Sequence, residues 1–291
     1  MHISGALNLL NQIAKELNGY YSPEELQSFK RIIAEDLFCA SLHQVLLNPS
    51  MPVTTEQYEK AGLLVTELKL QKPIQYVLGK AHFFGMEFRV TPSVLIPRPE
   101  TEELVDWILH NSPTAGNILD IGTGSGCIAI SLAKNISSAG VSAIDISVDA
   151  LEVAKANAEA NSVTVSFLQA DALGLHQNNE FPSGFDVIVS NPPYVRDSEK
   201  QQMHSNVLDY EPHLALFVPD TNPLLFYSAI AKAAARLLAP NGIVYCEINE
   251  ALGHETAQCF ANEGLQNINI KKDIHGKDRM ICATKPALDG E

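Results

Sequence analysis

The chain has 291 residues, of which 46% are hydrophobic, and its formal net charge is −14 at pH 7. This length is sufficient for one large α/β domain and a smaller second one. No stretch approaches the roughly 18 apolar residues of a membrane-spanning helix, and the N-terminus has the pattern of an amphipathic helix, not of a signal peptide. We therefore expect a cytoplasmic protein without a membrane segment.

Cysteine and histidine usage argues against a disulfide framework or a metal centre. The five cysteines are an odd number and include no CxxC pair, so reduced and mostly buried thiols are expected. The nine histidines show no spacing typical of metal ligands. No metal site is predicted.

The negative charge is concentrated in the larger, C-terminal part of the chain. Residues 1–80 carry 7 basic and 8 acidic side chains, whereas the remainder carries 13 basic and 26 acidic ones, a net charge of −13. An acidic surface repels a phosphate backbone. A protein or small-molecule substrate is therefore favoured over a nucleic acid, and a basic protein would suit this charge best.

Residues 1–74 are predicted to form a small helical bundle. Apolar residues recur at helical spacing, and Asn-Gly, Ser-Pro and Asn-Pro pairs separate the periodic stretches. The segment Ser22-Pro23-Glu24-Glu25 has the pattern of a helix start, with a serine cap and acidic residues in the first turn. The apolar positions that define the three helices are Leu7, Leu10, Ile13 and Leu17, then Leu26, Phe29, Ile33 and Leu37, then Leu63, Leu64 and Leu68.

Residues 75–97 are predicted to form a β-hairpin linker, because alternating apolar residues flank Phe84-Gly85-Met86. The motif that follows, Pro97-Arg98-Pro99-Glu100-Thr101-Glu102, leads into a helix. Arg98, Glu100 and Glu102 have two interpretations. They are either a proline-fixed linker with helix-capping acids, which we favour, or functional residues that form a lip over a bound ligand or contact the surface of a basic partner.

Residues 98–291 are predicted to form an α/β domain with a mostly parallel sheet, because short apolar strands alternate with helices. Ligands of such sheets bind at the carboxyl ends of the strands. The predicted strands are 118–121, 141–144, 163–168, 186–190 and 243–248, with a closing pair at 268–270 and 280–283, and the predicted helices include 128–133, 150–161 and 224–238.

A glycine-rich loop follows the first strand of this domain. Alternate glycines allow tight turning and close approach of a ligand to the backbone, and the next helix presents its amide donors there. The third glycine comes one residue too early for a dinucleotide fingerprint, which disfavours an NAD-dependent dehydrogenase. The loop residues are Gly122, Thr123, Gly124, Ser125 and Gly126.

Two acidic residues follow the next strands. Asp145 ends the second strand, where a carboxylate can accept hydrogen bonds from ribose hydroxyls. Asp171, followed by Ala172, ends the third strand, where it could meet an adenine amino group. A glycine loop, a ribose acid and an adenine acid in this order resemble the class I (Rossmann-like) methyltransferases.

The fourth strand runs directly into Asn191-Pro192-Pro193-Tyr194. The prolines fix the backbone and remove two amide donors, so that carbonyl groups and the Asn191 side-chain oxygen can accept hydrogen bonds. Tyr194 offers a flat face for stacking. The motif is typical of a site for a planar group that ends in NH2.

Together with this motif, several further segments resemble the PrmC/HemK family, the peptide-chain-release-factor glutamine methyltransferases. The similarity extends from about residue 73 to residue 284. The segments that carry it are Gln75-Tyr76-Val77-Leu78-Gly79, Phe83-Phe84-Gly85, residues 94–102, Tyr210-Glu211-Pro212 and residues 273–279.

The resemblance implies a helical N-terminal substrate-recognition domain, a hairpin linker and a seven-stranded catalytic domain. It implies methyl transfer from S-adenosyl-L-methionine, which leaves S-adenosyl-L-homocysteine, to the glutamine of the Gly-Gly-Gln motif of class I release factors. The glycine loop, Asp145, Asp171, Ala172 and Asn191 would then hold the cofactor. Asn191, Pro192, Pro193 and Tyr194 would hold the substrate amide, with Asn191, Pro192 and Tyr194 in catalytic roles.

The sequence departs from the family pattern at three places. Ala172 stands where the family often has an aromatic residue, which weakens the adenine wall. Residues 217–223 replace a usual glycine-rich stretch, and Glu247-Ile248-Asn249 replaces Glu-Ile-Gly.

Two alternative functions remain open at this point. An adenine-N6 methyltransferase of DNA or RNA would use the same chemistry, but it would need a positive surface for base flipping. A nucleotide-binding regulatory protein would need neither Asn191 nor the glycine loop, and both are present. Release factors are thus the expected partners, without nucleic acid or membrane, and a monomer is expected.

Overall fold

A computed structural model describes residues 5–287 of the chain. They divide into two compact units. The first unit comprises the chain up to Gly79 together with His204–Tyr210, and the second comprises Lys80–Met203 and the residues from Glu211 onward.

The first unit is a helical bundle, as predicted. Ser22 caps the second helix as expected: its hydroxyl accepts from the Glu25 amide at 3.2 Å, and the Glu25 carboxylate accepts from the Ser22 amide at 2.9 Å. The helices are α1 (Ala6–Glu16), α2 (Pro23–Phe38), α3 (Leu42–Leu47), α4 (Thr55–Lys69) and α5 (Ile74–Leu78).

Three details of this unit differ from the sequence prediction. Leu63 is 70% exposed, because the helical repeat of α4 turns it away from the buried positions Leu64 and Leu68. Residues 75–78 belong to α5 and not to the hairpin, and the helix ends at Gly79 in the left-handed conformation. The distant segment His204–Tyr210 also joins this unit, where the Tyr210 hydroxyl donates to the Leu70 carbonyl at 2.7 Å.

The second unit begins with the predicted hairpin. Strands β1 (Lys80–Phe83) and β2 (Met86–Arg89) pair in antiparallel fashion around Phe84-Gly85, and both turn residues have positive φ, as a type I′ turn requires. Asn157 ties the hairpin to the rest of the unit, since its side chain accepts from the Arg89 amide and donates to the Arg89 carbonyl.

The sheet of the second unit has seven strands in the order β10-β11-β9-β6-β3-β4-β5. Strands β5, β4, β3, β6 and β9 are parallel, while β11 and β10 continue the sheet in antiparallel pairing. This arrangement confirms the mostly parallel sheet with a closing pair. The strands are β3 (Asn117–Ile121), β4 (Gly140–Asp145), β5 (Ser166–Gln169), β6 (Phe185–Ser190), β9 (Leu238–Glu247), β10 (Gln266–Lys272) and β11 (Asp278–Thr284).

Helices cover both faces of the sheet, and successive strand residues alternate between two apolar cores. Ile118 and Val187 face one core, whereas Leu119 and Ile188 face the other. The helices of the second unit are α6 (Pro99–Asn111), α7 (Cys127–Asn135), α8 (Val148–Ala160), α10 (Leu225–Leu237) and α11 (Gly253–Asn262), whereas α9 (Ser205–Tyr210) belongs to the first unit. A short parallel pair, β7 (Val195–Arg196) and β8 (Phe217–Val218), lies outside the main sheet and was not predicted, nor was α11.

Strand β5 begins three residues later than predicted. The amide of Val163 donates to the Ala158 carbonyl at 3.0 Å and so completes the end of α8. Residues 163–165 are therefore a connection and not part of the sheet.

Candidate active site

A cavity of about 360 Å³ opens at the carboxyl ends of strands β3, β4, β5 and β6. Its volume is in the range of small-molecule sites. The loops that the sequence analysis selected form much of its wall. The residues from those loops that line it are Gly122, Thr123, Gly124, Ser125, Asp145, Asp171, Ala172, Asn191, Pro192 and Pro193.

The three glycines of the loop after β3 have different roles. All have positive φ, at +73° for Gly122, +55° for Gly124 and +81° for Gly126. A Cβ atom on Gly122 or Gly124, which line the cavity, would meet nothing within 4 Å. A Cβ on Gly126 would lie 2.9 Å from Ile130 and 3.1 Å from Ala154. Gly126 does not line the cavity, and it permits close packing of α7 against α8.

Asp145 connects the loop to the end of β4. One carboxylate oxygen accepts from the Gly124 amide and the other from the Ser147 amide, both at 2.9 Å. Each carboxylate oxygen has a second lone pair. Asp145 can therefore hold the loop and still accept hydrogen bonds from a ligand.

Apolar side chains supply much of the cavity lining. Asp171 accepts from the Leu173 amide at 2.8 Å, and Ala172 next to it also lines the cavity. No aromatic residue follows Asp171, but side chains from other segments supply apolar surface to the cavity. They are Ile146, Leu173, Phe226 and Ile230.

The residues of the Asn191-Pro192-Pro193-Tyr194 turn lie in two environments, the cavity wall and the protein interior. Asn191 and both prolines line the cavity, whereas Tyr194 is not among its lining residues. The Tyr194 hydroxyl donates to Glu247 at 2.8 Å. Burial, followed by the neighbouring Glu247 carboxylate, raises the pKa of Tyr194 well above its ordinary value. The Tyr194 side chain therefore fixes the turn through its bond to Glu247 and not through the cavity.

Two residues that sequence reasoning did not select connect to Asn191. Its side-chain Nδ2 donates to the Thr101 hydroxyl at 3.1 Å, and Thr101 donates to Glu247 at 2.7 Å. Burial raises the pKa of Glu247, while the Thr101 and Tyr194 hydroxyls and the charge of Arg279 act in the opposite direction. The sequence signals for Glu247 were its place at the end of a buried apolar strand and its match to the glutamate of the family pattern Glu-Ile-Gly.

Asp120 supports the glycine loop from inside the protein. It is fully buried, and one carboxylate oxygen accepts from the Thr123 hydroxyl at 2.7 Å. Burial raises the pKa of Asp120 to about 7. Asp120, the next-to-last residue of the strand that precedes the loop, was not predicted as a site residue.

The contacts of Arg98 and Glu102 bear on the two interpretations of the segment before α6. Arg98 lines the cavity, and it pairs with the buried carboxylate of Glu211, which also accepts from the Ile96 amide at 3.2 Å. Glu102 accepts from the Phe84 amide at 2.8 Å and so fixes the hairpin turn. Arg98 therefore contributes to the cavity lining, whereas Glu102 stabilises the hairpin turn.

Neither a metal cluster nor a membrane helix is found in the described region. Within residues 5–287, no three His, Cys, Asp or Glu side chains are grouped as metal ligands. Over the same residues, every helix is too short or too polar to span a bilayer.

Comparison with known proteins identifies the family. Residues 8–79 match the model of the PrmC N-terminal domain, and residues 100–210 match that of the methyltransferase small domain. The release factor glutamine methyltransferase of Flavobacterium psychrophilum is 46% identical over 279 residues, which are 94% of this chain and 97% of that protein. The chain belongs to the release factor glutamine methyltransferase family.

A second member of the family, from Bacteroides thetaiotaomicron, is 42% identical over 94% of this chain and 98% of its own length. Among solved structures, a Thermus thermophilus 16S rRNA methyltransferase, in complex with AdoMet and guanosine, aligns with a TM-score of 0.51. It is 20% identical, and the alignment covers 71% of this chain and 49% of that one. This likeness confirms the class I methyltransferase fold.

Proposed function

We propose that the protein transfers a methyl group from S-adenosylmethionine to the side-chain amide nitrogen of the glutamine in the Gly-Gly-Gln motif of class I release factors. One observation carries the proposal. In a member of this family, the glycine loop, Asp145 and the Asn191-Pro192-Pro193 turn all line one cavity. A cofactor site and an acceptor site for NH2 groups therefore adjoin each other.

The cavity fits S-adenosylmethionine in three respects. Gly122 and Gly124 have no side chain, and no other atom fills the place of a Cβ there, so a ligand can closely approach the backbone. Asp145 keeps free lone pairs for ribose hydroxyls, and Asp171 lies beside an apolar wall suited to adenine. When bound there, S-adenosylmethionine supplies an electrophilic methyl group on a positively charged sulfur.

The protein's task is to orient a poor nucleophile. The lone pair of an amide nitrogen is delocalised, so acceptors aimed at its hydrogens both hold the group and raise the electron density on nitrogen. The Asn191 side-chain oxygen and the Pro192 carbonyl are suited to this, while Pro192 and Pro193 bring no amide donors that would repel the NH2 group.

Methyl transfer then depends mainly on in-line placement of nitrogen and methyl carbon. S-adenosylmethionine held in the cavity would supply the methyl group with its sulfur as the leaving group, and the extra proton on the amide nitrogen would go to water. The products would be methylglutamine and S-adenosylhomocysteine. No dedicated general base is needed.

Adenine N6 is the alternative acceptor, since it is also an NH2 group on a planar system. The net charge of −13 beyond residue 80 opposes binding of a nucleic acid. We therefore assign the protein a release-factor partner and no nucleic acid. We further propose that the helical N-terminal unit recognises the release factor and that the enzyme acts as a cytoplasmic monomer.

Transfer of label from methyl-labelled S-adenosylmethionine tests the assignment of substrate class. Purified release factor, its Gln→Ala variant at the Gly-Gly-Gln motif, and adenine-containing DNA and RNA are incubated separately with the enzyme. Label on the wild-type release factor alone is expected. Equal labelling of the Gln→Ala variant would refute the glutamine assignment, and labelling of nucleic acid alone would favour adenine.

A further inference from the structure

The hydrogen bonds around Thr101 determine which way the Asn191 amide faces. The Thr101 Oγ1 atom lies 2.7 Å from Glu247 Oε2 and 3.1 Å from Asn191 Nδ2. A hydroxyl has one hydrogen to donate, and an ionised carboxylate can only accept. The Thr101 hydrogen therefore points to Glu247, and the hydroxyl oxygen is left to accept from Asn191.

The other side of Glu247 is occupied in the same way. Its Oε1 atom accepts from the Tyr194 hydroxyl at 2.8 Å, so each carboxylate oxygen receives one hydroxyl hydrogen. Glu247 is only 1% exposed, which leaves water little part in these bonds. Burial raises the pKa of Glu247, whereas the hydrogen bonds from the Thr101 and Tyr194 hydroxyls and the charge of Arg279 favour its ionised form. Thr101 is thereby held as an acceptor towards Asn191.

The amide of Asn191 can satisfy Thr101 only with its nitrogen. Because Nδ2 is engaged there, Oδ1 is the end of the amide that remains for a ligand, and Asn191 lines the cavity. A reversed amide would place its NH2 group against the NH2 group of the substrate, donor against donor.

We propose that Thr101 and Glu247 are positioning residues that fix the Asn191 amide with its oxygen available to the substrate NH2 group. The inference rests on the proposed function and extends it to specificity. The network selects a group that donates two hydrogens, such as a carboxamide, over a carboxylate that can only accept.

Two substitutions at position 101 test the network through kinetics. Thr101→Val keeps the shape but removes the hydroxyl, whereas Thr101→Ser keeps the hydroxyl. Ser112→Ala is the matched control, since Ser112 ends α6 and its hydroxyl meets Tyr245 outside the cavity.

With saturating release factor, Thr101→Val should lower kcat by about 10- to 100-fold, because a misplaced acceptor costs that much in rate. The KM for release factor should change little, since the orientation of one amide affects transfer more than docking. Thr101→Ser and Ser112→Ala should stay close to wild type. A wild-type kcat in Thr101→Val, or an equal loss in Thr101→Ser, would overturn the proposal.

A second variant covers the case in which Thr101→Val does not fold. Glu247→Gln keeps the size of the side chain but replaces one acceptor oxygen with a donor, so that it cannot accept from both Thr101 and Tyr194. It should lose kcat in the same way, and wild-type turnover in a folded Glu247→Gln protein would contradict the network.

NMR separates this inference from the proposed function. The side-chain amide signals of Asn191 are assigned by their absence in Asn191→Asp. Their hydrogen exchange should be slow in the wild type and in Thr101→Ser, and fast in whichever of Thr101→Val and Glu247→Gln folds. If release factor is not methylated but this pattern holds, the network stands and the substrate assignment fails. Fast exchange in the wild type would refute the network itself.

Discussion

Alanine substitutions at Gly124 and Gly126 should have different consequences, although both residues lie in one loop and both have positive φ. An added Cβ at Gly124 meets no atom within 4 Å and lies in the wall of the cavity. An added Cβ at Gly126 approaches the Ile130 side chain to 2.9 Å and the Ala154 Cβ to 3.1 Å. Gly124→Ala should therefore act on ligand binding, and Gly126→Ala on folding.

The expected magnitudes follow from two separate costs. A non-glycine residue in the left-handed region loses about 1–2 kcal/mol of stability, which applies at both positions. Overpacking a core contact loses about a further 1–3 kcal/mol, which applies only at Gly126 because Ala154 is buried and lies on a helix. The totals are about 1–2 kcal/mol for Gly124→Ala and about 2–5 kcal/mol for Gly126→Ala.

Thermal unfolding without ligand, together with calorimetric binding of S-adenosylhomocysteine, measures both effects. Gly126→Ala should lower Tm by more than Gly124→Ala does. Below its Tm, Gly126→Ala should retain most of its binding affinity, whereas Gly124→Ala should lose affinity because its methyl group occupies ligand space. A larger loss of Tm in Gly124→Ala, or unchanged binding by that variant, would refute this division of roles.

Three further substitutions test the site. Asn191→Ala should leave the fold and most cofactor binding intact but cut methyl transfer steeply, as single-turnover kinetics would show, because it removes the acceptor for the substrate amide. Asp145→Ala should weaken S-adenosylhomocysteine binding by about 10- to 100-fold, the value of about 1.5–3 kcal/mol for hydrogen bonds to a charged group, measured by calorimetry. Burial raises the pKa of Asp120 to about 7, so between about pH 4 and pH 7 Asp120 is protonated in the folded protein but ionised in the unfolded chain. The free energy of unfolding contributed by Asp120 should therefore decline as pH rises from about 4 to about 7 and then level off. Asp120→Asn should lose that part of the pH dependence in thermal unfolding.

Each of these expectations has a contradicting result. Near-normal turnover in Asn191→Ala would show that Asn191 does not hold the substrate amide. Undiminished ligand affinity in Asp145→Ala would mean that its carboxylate serves only the loop. A pH dependence in Asp120→Asn equal to that of the wild type would place the responsible group elsewhere.

The sheet and the cavity loops could be predicted because their signals are local. Short apolar strands that alternate with helices predict a parallel sheet, and the carboxyl ends of such strands meet at one edge. Gly122, Asp145 and Asn191 each follow directly on a predicted strand, and Asp171 comes three residues after another. Their appearance in one cavity follows from that topology alone.

The features that could not be predicted depend on contacts between residues that are far apart in the sequence. Thr101 and Glu247 are 146 positions apart, and no local pattern connects them. The return of His204–Tyr210 to the helical unit depends in the same way on the bond from Tyr210 to Leu70, 140 positions earlier.

Some positions of single residues were also not predictable from the pattern. Three alternate glycines look equivalent in sequence. Only the structure shows that a Cβ atom on Gly126 would crowd Ala154, whereas a Cβ atom on Gly124 would meet no atom within 4 Å. Likewise, an aromatic side chain in the motif after β6 predicts stacking in the site, whereas the Tyr194 hydroxyl is engaged by the buried Glu247.

Mass spectrometry of release factor after incubation with the enzyme and S-adenosylmethionine shows whether its glutamine is methylated. We expect a gain of one methyl group, which peptide fragmentation places on the side chain of the glutamine in the Gly-Gly-Gln motif. Release factor of unchanged mass, under conditions in which the enzyme demonstrably binds S-adenosylmethionine, would contradict this expectation.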